Sequence, residues 1–171
     1  ARSKNYARMR TALCALCSHQ GAFGFANGVE WFATEKINVH NSPSLNWGAE
    51  SNQINHIRRL NQLLRVHPAF HDDTELSILP QNSGNRIVLL RHHRPSGKKL
   101  LVIINLDDQN PTLASWNPAT TGLESYRFTD LLSGAEVNAA VSGNEHTCHL
   151  EPAQALCLSA DATDFELFKN M

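Results

Sequence analysis

The chain has 171 residues, 42% of them hydrophobic, with 15 basic and 16 acidic side chains and a net charge of −1. That leaves room for one ordinary domain, or for one small domain and part of another, and it marks a chain that folds and dissolves rather than a disordered one. No apolar run approaches the ~20 residues that a membrane span needs. The charge is unevenly spread: Arg2, Lys4, Arg8 and Arg10 give the first ten residues four positive charges and no acid, which leaves 11 basic against 16 acidic side chains, a balance of −5, in the rest. A basic start is a weak hint of nucleic acid, which normally needs a basic face along the whole fold, and a solvated helix end is the plainer reading. No nucleic-acid partner and no membrane partner is expected.

Tyr6, Met9, Leu13, Leu16 and Cys17 follow one another at helical spacing. They predict a helix from about Ser3 to Ser18, ending before Gly21. Basic residues followed by "TALCALC" imitate a secretion signal, but the apolar core is minimal and Met9 and Arg10 belong to the helical stripe. Cys14 and Cys17 form a C-A-L-C pair. Without a second pair at zinc-finger spacing, core thiols are favoured over a redox or zinc site. Phe23 and Phe25 alternate within "GAFGFANGVEW" and predict a short strand among glycines 21, 24 and 28. Residues 33–50 have no period and carry Pro43, Gly48 and several Asn and Ser, as a long functional loop does.

The stretch "INHIRRLNQLLRVHPAF" (54–70) carries a stripe of Ile54, Ile57, Leu60, Leu63 and Leu64, with Ser51 as the expected cap. Pro68 disfavours helical geometry at His67, so the helix should close there. From Leu76 the period changes to two. The strand candidates are 76–79, 86–93, 99–106, 125–132, 136–138, 146–151 and 154–160. Turn signals separate them at Ser83-Gly84-Asn85, Pro95-Ser96-Gly97, Ser133-Gly134 and Ser142-Gly143-Asn144. Short strands at this spacing predict an antiparallel sandwich, and "LLVIIN", without a polar break, its central strand buried on both faces. Cys148 and Cys157 fall in two late strand candidates, where they could face each other. Without a secretory signal, reduced thiols and a cytoplasmic location are expected. The chain thus divides into 1–70 (two helices, one strand and a long loop), a β domain over 71–160, and a tail over 161–171. The first part is too small for a core of its own, and helix–strand–helix is a piece of a (β/α) pattern whose apolar faces need partners.

These segments, in this order, resemble the end of an α-amylase superfamily glycoside hydrolase. "FGFANGVE" (23–30) is similar to the aromatic-Gly-x-x-x-Gly-x-Glu segment of the last barrel strand. Residues 54–70 are similar to the last barrel helix with its His/Asn-Pro-Ala ending. "KLLVIINLD", "FTDLLSGAEV" and "HLEPAQALCL" look like strands of the C-terminal sandwich. The nearest branch is the maltosyltransferases that act on maltose 1-phosphate. There the strand reads Tyr-Gly-x-Tyr-Ser-Gly-Phe-Glu followed by Ser-Glu-Lys-Tyr. Gly24, Gly28, Glu30, Glu35 and Lys36 match it, and Ile37 stands where the branch has tyrosine. The resemblance implies an α+β chain: the last helix–strand–helix of a (β/α)8 barrel, then an antiparallel β-sandwich. It also implies an anion-binding role for Lys36 toward a donor sugar or phosphate, an α-glucan or maltosyl phosphate as ligand of the full-length enzyme, and an upstream barrel segment or a second copy of the chain as cover for the helices.

Retaining glycosidases need two carboxyl groups about 5–5.5 Å apart. In the superfamily these follow barrel strands four and five, with a third acid after strand seven, and all would precede this chain. No catalytic residue is therefore nominated, and the chain alone is expected to be inactive. Asp72-Asp73 and Asp107-Asp108 read as solvated turns. Glu30 is expected to make structural hydrogen bonds before sugar contacts. Trp31 and Trp47 are candidates to lie under sugar rings or simply to pack. His67 and His71 have zinc-like spacing but Pro68 lies between them, and His92-His93 point to opposite faces of a strand. No metal site and no cofactor is expected. "GAFGFANG" lacks the Lys-Ser/Thr ending of a phosphate loop. The rival reading is a stand-alone carbohydrate- or protein-binding sandwich with Trp116 and Tyr126 as an exposed platform. It requires both helical stripes to cover the sheet. A third reading is a subunit whose helices dock on a separate barrel chain.

Overall fold

The computed structural model describes residues 3–19, 23–38, 40–41, 43–82 and 84–168. Helix α1 spans Lys4–Leu16. It starts at Ser3, whose hydroxyl accepts the Tyr6 N–H at 3.2 Å, as an N-cap should. Helix α2 spans Ile54–Val66. Its expected cap is corrected by the structure: Asn52 Oδ1 accepts the Ile54 N–H at 3.1 Å, while Ser51 Oγ accepts from Lys4 Nζ at 2.7 Å. His67 closes the helix in an extended conformation (ψ 124°) because Pro68 follows it. The short strand expected at 23–25 is absent. No described backbone pairs with this segment, and a strand without a hydrogen-bonded neighbour has nothing to hold its ladder.

Among the described residues nine strands follow: β1 Thr74–Ile78, β2 Arg86–His93, β3 Lys99–Asn105, β4 Thr112–Trp116, β5 Arg127–Asp130, β6 Glu136–Asn138, β7 Ala140–Ser142, β8 Glu145–Leu150 and β9 Ala155–Ser159. One turn of helix, α3 (Pro118–Thr121), lies between β4 and β5. The strands form two antiparallel sheets, a six-stranded one in the order β1-β2-β3-β9-β5-β6 and a three-stranded one in the order β4-β8-β7. The tail is not a trailing end. Ala162–Phe168 forms 3-10 turns that pack back on the sheet.

β3 is the middle of the molecule, buried on both faces as its unbroken apolar run predicts. Leu100, Val102 and Ile104 face a core shared with Met9, Leu16, Leu60 and Leu63 of the helices. Leu101 and Ile103 face the second sheet, in a core with its Trp116 and Leu150 and with Phe128 of β5. Alternation along one strand thus builds two cores, one on each side of the six-stranded sheet. The stripes of α1 and α2 that seemed to need outside cover are covered by the chain's own sheet. Trp116 corrects another expectation: it is only 2% exposed, because residues 112–116 form an edge strand of the second sheet rather than an open loop. Cys157 lies in the helix-side core and Cys148 in the inter-sheet core, so the two do not face each other.

Arg91 ties helices to strands. It is 2% exposed and has no carboxylate partner among the described residues. Its guanidinium donates to the carbonyls of Ala69 (2.7 Å), Leu16 (2.8 Å) and Ser18 (2.8 Å) and lies 4.2 Å from the centre of the Phe70 ring. Two of those carbonyls belong to the end of α1, where a helix leaves its acceptors unpaired. Burial pushes the guanidinium down to about 10.

Candidate functional site

The loop joining the helices holds every nominated binding residue. Gly28 opens it at φ 94°, with Ala33 Cβ and Leu45 Cβ so close that an added methyl would meet them at 2.9 and 3.0 Å. A 3-10 turn, Val29–Trp31, follows. Glu30 is held by the fold: its carboxylate accepts the Gly28 N–H at 3.0 Å, and its carbonyl accepts the Gln53 N–H at 2.8 Å. Glu35, which matched the family motif, is also occupied, with Ser44 Oγ and Leu45 N each 3.4 Å from its carboxylate. Lys36 is exposed, and no described residue pairs with its ammonium. Trp31 is half-buried. Its ring centre lies 5.3 Å from that of Trp47, its carbonyl accepts from Asn46 Nδ2 at 2.7 Å, and its Nε1–H meets no acceptor among the described residues. Trp47 itself stands 78% exposed.

The basic N-terminus lies beside this loop. Lys4 and Arg8 approach the Phe32 ring at 5.8 and 5.4 Å, and Arg8 also donates to the Asn52 carbonyl at 3.3 Å. These cations brace the loop. A shallow apolar groove runs between α1 and the coil at 23–25, lined by Ala7, Arg10, Cys14, Phe23, Phe25 and Val29.

Elsewhere, polar side chains pair with one another and with the backbone. Asp161 and Asp164 both reach Lys98 Nζ at 2.5 Å, which puts them close together. The single ammonium offsets one of their two negative charges. Asp164 is buried and also accepts from Ser159 Oγ at 2.6 Å and from His67 Nε2 at 3.1 Å. His67 Nδ1 accepts the Ala69 N–H, so the proton on Nε2 is the one that points at Asp164. This cluster fastens the tail to the end of α2 and is no acid/base pair. His71 instead contacts the Arg65 carbonyl. No group of three or more His, Cys, Asp or Glu suited to a metal exists among the described residues. No helix of the described residues is long and apolar enough to cross a membrane.

Several family-like motifs are structural. Asp130 of "FTDLLSG" accepts from the backbone of Leu132, Ser133 and Cys157 and from the Ser133 hydroxyl. Asn105 of "LLVIIN" donates to the Asn110 and Glu151 carbonyls. Sequence reasoning missed how the loop is held. The signal lay in its Asn and Gly positions, since Asn46 and Gly48 both sit at positive φ (60° and 79°).

No family model and no curated protein matches the sequence. Solved structures do match. A noncanonic maltogenic alpha-amylase, AmyB from Thermotoga neapolitana, superposes on 92% of this chain with a TM-score of 0.75 at 17% identity. The chain shares its fold with part of an α-amylase. It spans 37% of that protein's length. The mixed helix and two-sheet architecture implied by the motifs is therefore found in a solved amylase, although the residues described here hold no barrel.

Proposed function

We propose that this chain is the C-terminal portion of an α-amylase-type glycosidase or glucanosyl transferase. It supplies the last helix and the sandwich, while the reactive carboxyls belong to barrel strands outside these residues. One observation supports this: 92% of the chain superposes on part of a maltogenic α-amylase. Within that reading the loop at 26–50 shapes the rim of the sugar pocket. Lys36, exposed and with no partner among the described residues, offers charge to a phosphate or a sugar oxygen, which suits a maltosyl phosphate donor. In the whole enzyme the acetal bond would break through a covalent glycosyl-enzyme intermediate. The pure 171-residue chain is then expected to turn over neither maltooligosaccharides nor maltose 1-phosphate. Turnover abolished by one substitution within it would reject the reading. In a full-length enzyme, Lys36→Ala is expected to weaken donor binding, and an unchanged affinity removes that role.

The stand-alone module is favoured by one observation of its own. Leu16, Leu60 and Leu63 are fully buried against the chain's own sheet, so the stripes do not require a barrel. Against it, its platform is dismantled: Trp116 is buried, and only Tyr126 remains exposed.

A further inference from the structure

We propose that Trp47 is a stacking platform for one glucosyl ring of an α-glucan, a sugar subsite carried by the turn at 43–48. The proposal rests on the α-glucan reading above. Trp47 is the most exposed aromatic side chain described, yet it is not loose. One indole packs on the other, Trp31, at a tilt of 48°. The Trp47 N–H donates to the Ser44 carbonyl at 2.9 Å, and the Ala49 N–H donates to Asn46 at 3.1 Å. Glu35 and the Asn46 amide fasten the same turn to the Trp31 segment.

This turn is held in an unfavourable shape. Leu45 and Asn46 stand at φ 48° and 60°, and Phe32 below them at 54°. A left-handed Leu or Phe costs on the order of 1 kcal/mol, and such conformations persist where surrounding bonds impose them, most often at binding sites. Here they aim an indole into water. Its sequence neighbours Ser44, Asn46, Gly48 and Glu50 are exposed and mostly polar, not a continuous greasy patch of the sort that binds protein. A sugar ring fits this combination. Its C–H face meets the electron-rich face of the indole, and its hydroxyls meet the flanking amide and carboxylate groups.

Calorimetric titration of the chain with maltoheptaose, and separately with cellohexaose, tests this. Saturable binding of maltoheptaose is expected. It should weaken roughly tenfold or more in Trp47→Ala, recover in large part in Trp47→Phe, and stay unchanged in Tyr126→Ala. Because Trp47 is so exposed, the melting temperature of Trp47→Ala should match the wild type; if it does not, Trp47→Phe and Tyr126→Ala decide. Binding that Trp47→Ala leaves intact overturns the platform and spares the α-glucan reading. Binding of neither sugar likewise overturns the platform alone, whereas binding of cellohexaose and not maltoheptaose overturns the proposal together with that reading.

Discussion

Arg91 shows how much of this molecule depends on single side chains placed between segments distant in sequence. Its guanidinium satisfies three carbonyls that would otherwise be buried without donors. Arg91→Met keeps the stem but leaves those acceptors unpaired, so a loss of about 3–5 kcal/mol is expected in urea unfolding. Arg91→Lys should recover only part of it, since one ammonium cannot reproduce the fork. The Asp161–Asp164–Lys98–His67 cluster predicts a pH dependence. Hydrogen bonds, the Lys98 bond first, hold Asp161 down at about 2. Burial pushes Asp164 up, but the bonds from His67, Lys98 and Ser159 outweigh it and keep it below the usual range. A depressed carboxyl adds stability that is complete above its unfolded value near 4 and is lost as pH falls through the folded value. Thermal midpoints should therefore fall between about pH 4 and pH 2. Asp164→Asn should flatten that fall while lowering the midpoint at neutral pH, because Lys98 and His67 lose their buried partner. A parallel pH profile in the variant would mean that other carboxyls dominate.

At the scale of elements, the C-terminal tail and the two helices share one logic. Each places an apolar stripe on the six-stranded sheet and secures it with a polar clamp. Arg59 lies 4.8 and 4.1 Å from the Phe165 and Phe168 ring centres and donates to the Leu131 carbonyl at 2.7 Å. Gly134 makes the seat, since a methyl there would stand 2.5 Å from Phe165 Cζ, on a residue at φ 80°. Gly134→Ala is expected to cost about 1–3 kcal/mol and to speed proteolytic release of residues 162–168. An unchanged cleavage rate would show that the tail does not depend on this contact. The motif at 128–134 thus builds the hairpin and seats the tail.

For the whole molecule, the shared core of helices and sheet makes a definite claim about cooperativity. Leu60 is fully buried against the same cluster as Val102 and Ile104. Leu60→Ala should cost about 2–5 kcal/mol, and in a Trp31→Phe, Trp47→Phe background helix content and Trp116 fluorescence should still be lost in one coincident transition. A separate early loss of helix would mean that residues 1–70 are a weakly attached unit.

Much of this architecture was legible in the chain. Periodicity marked α1 and α2, Pro68 marked where α2 stops, and the unbroken run at 100–105 marked the strand buried on both faces. These are local properties, because a residue's face follows from its spacing whatever covers it. The nominated residues Glu30, Trp31 and Lys36 lie on one loop, and only the fold turned Glu30 inward and left Lys36 in water. Tertiary structure alone decided that residues 23–25 find no strand partner, that Trp116 goes under the second sheet, that Arg91 meets three carbonyls, and that Trp47 faces outward. Trp116 and Arg91 depend on partners far along the chain, and Trp47 on Trp31 across the loop; neither spacing nor composition encodes which of them will arrive there.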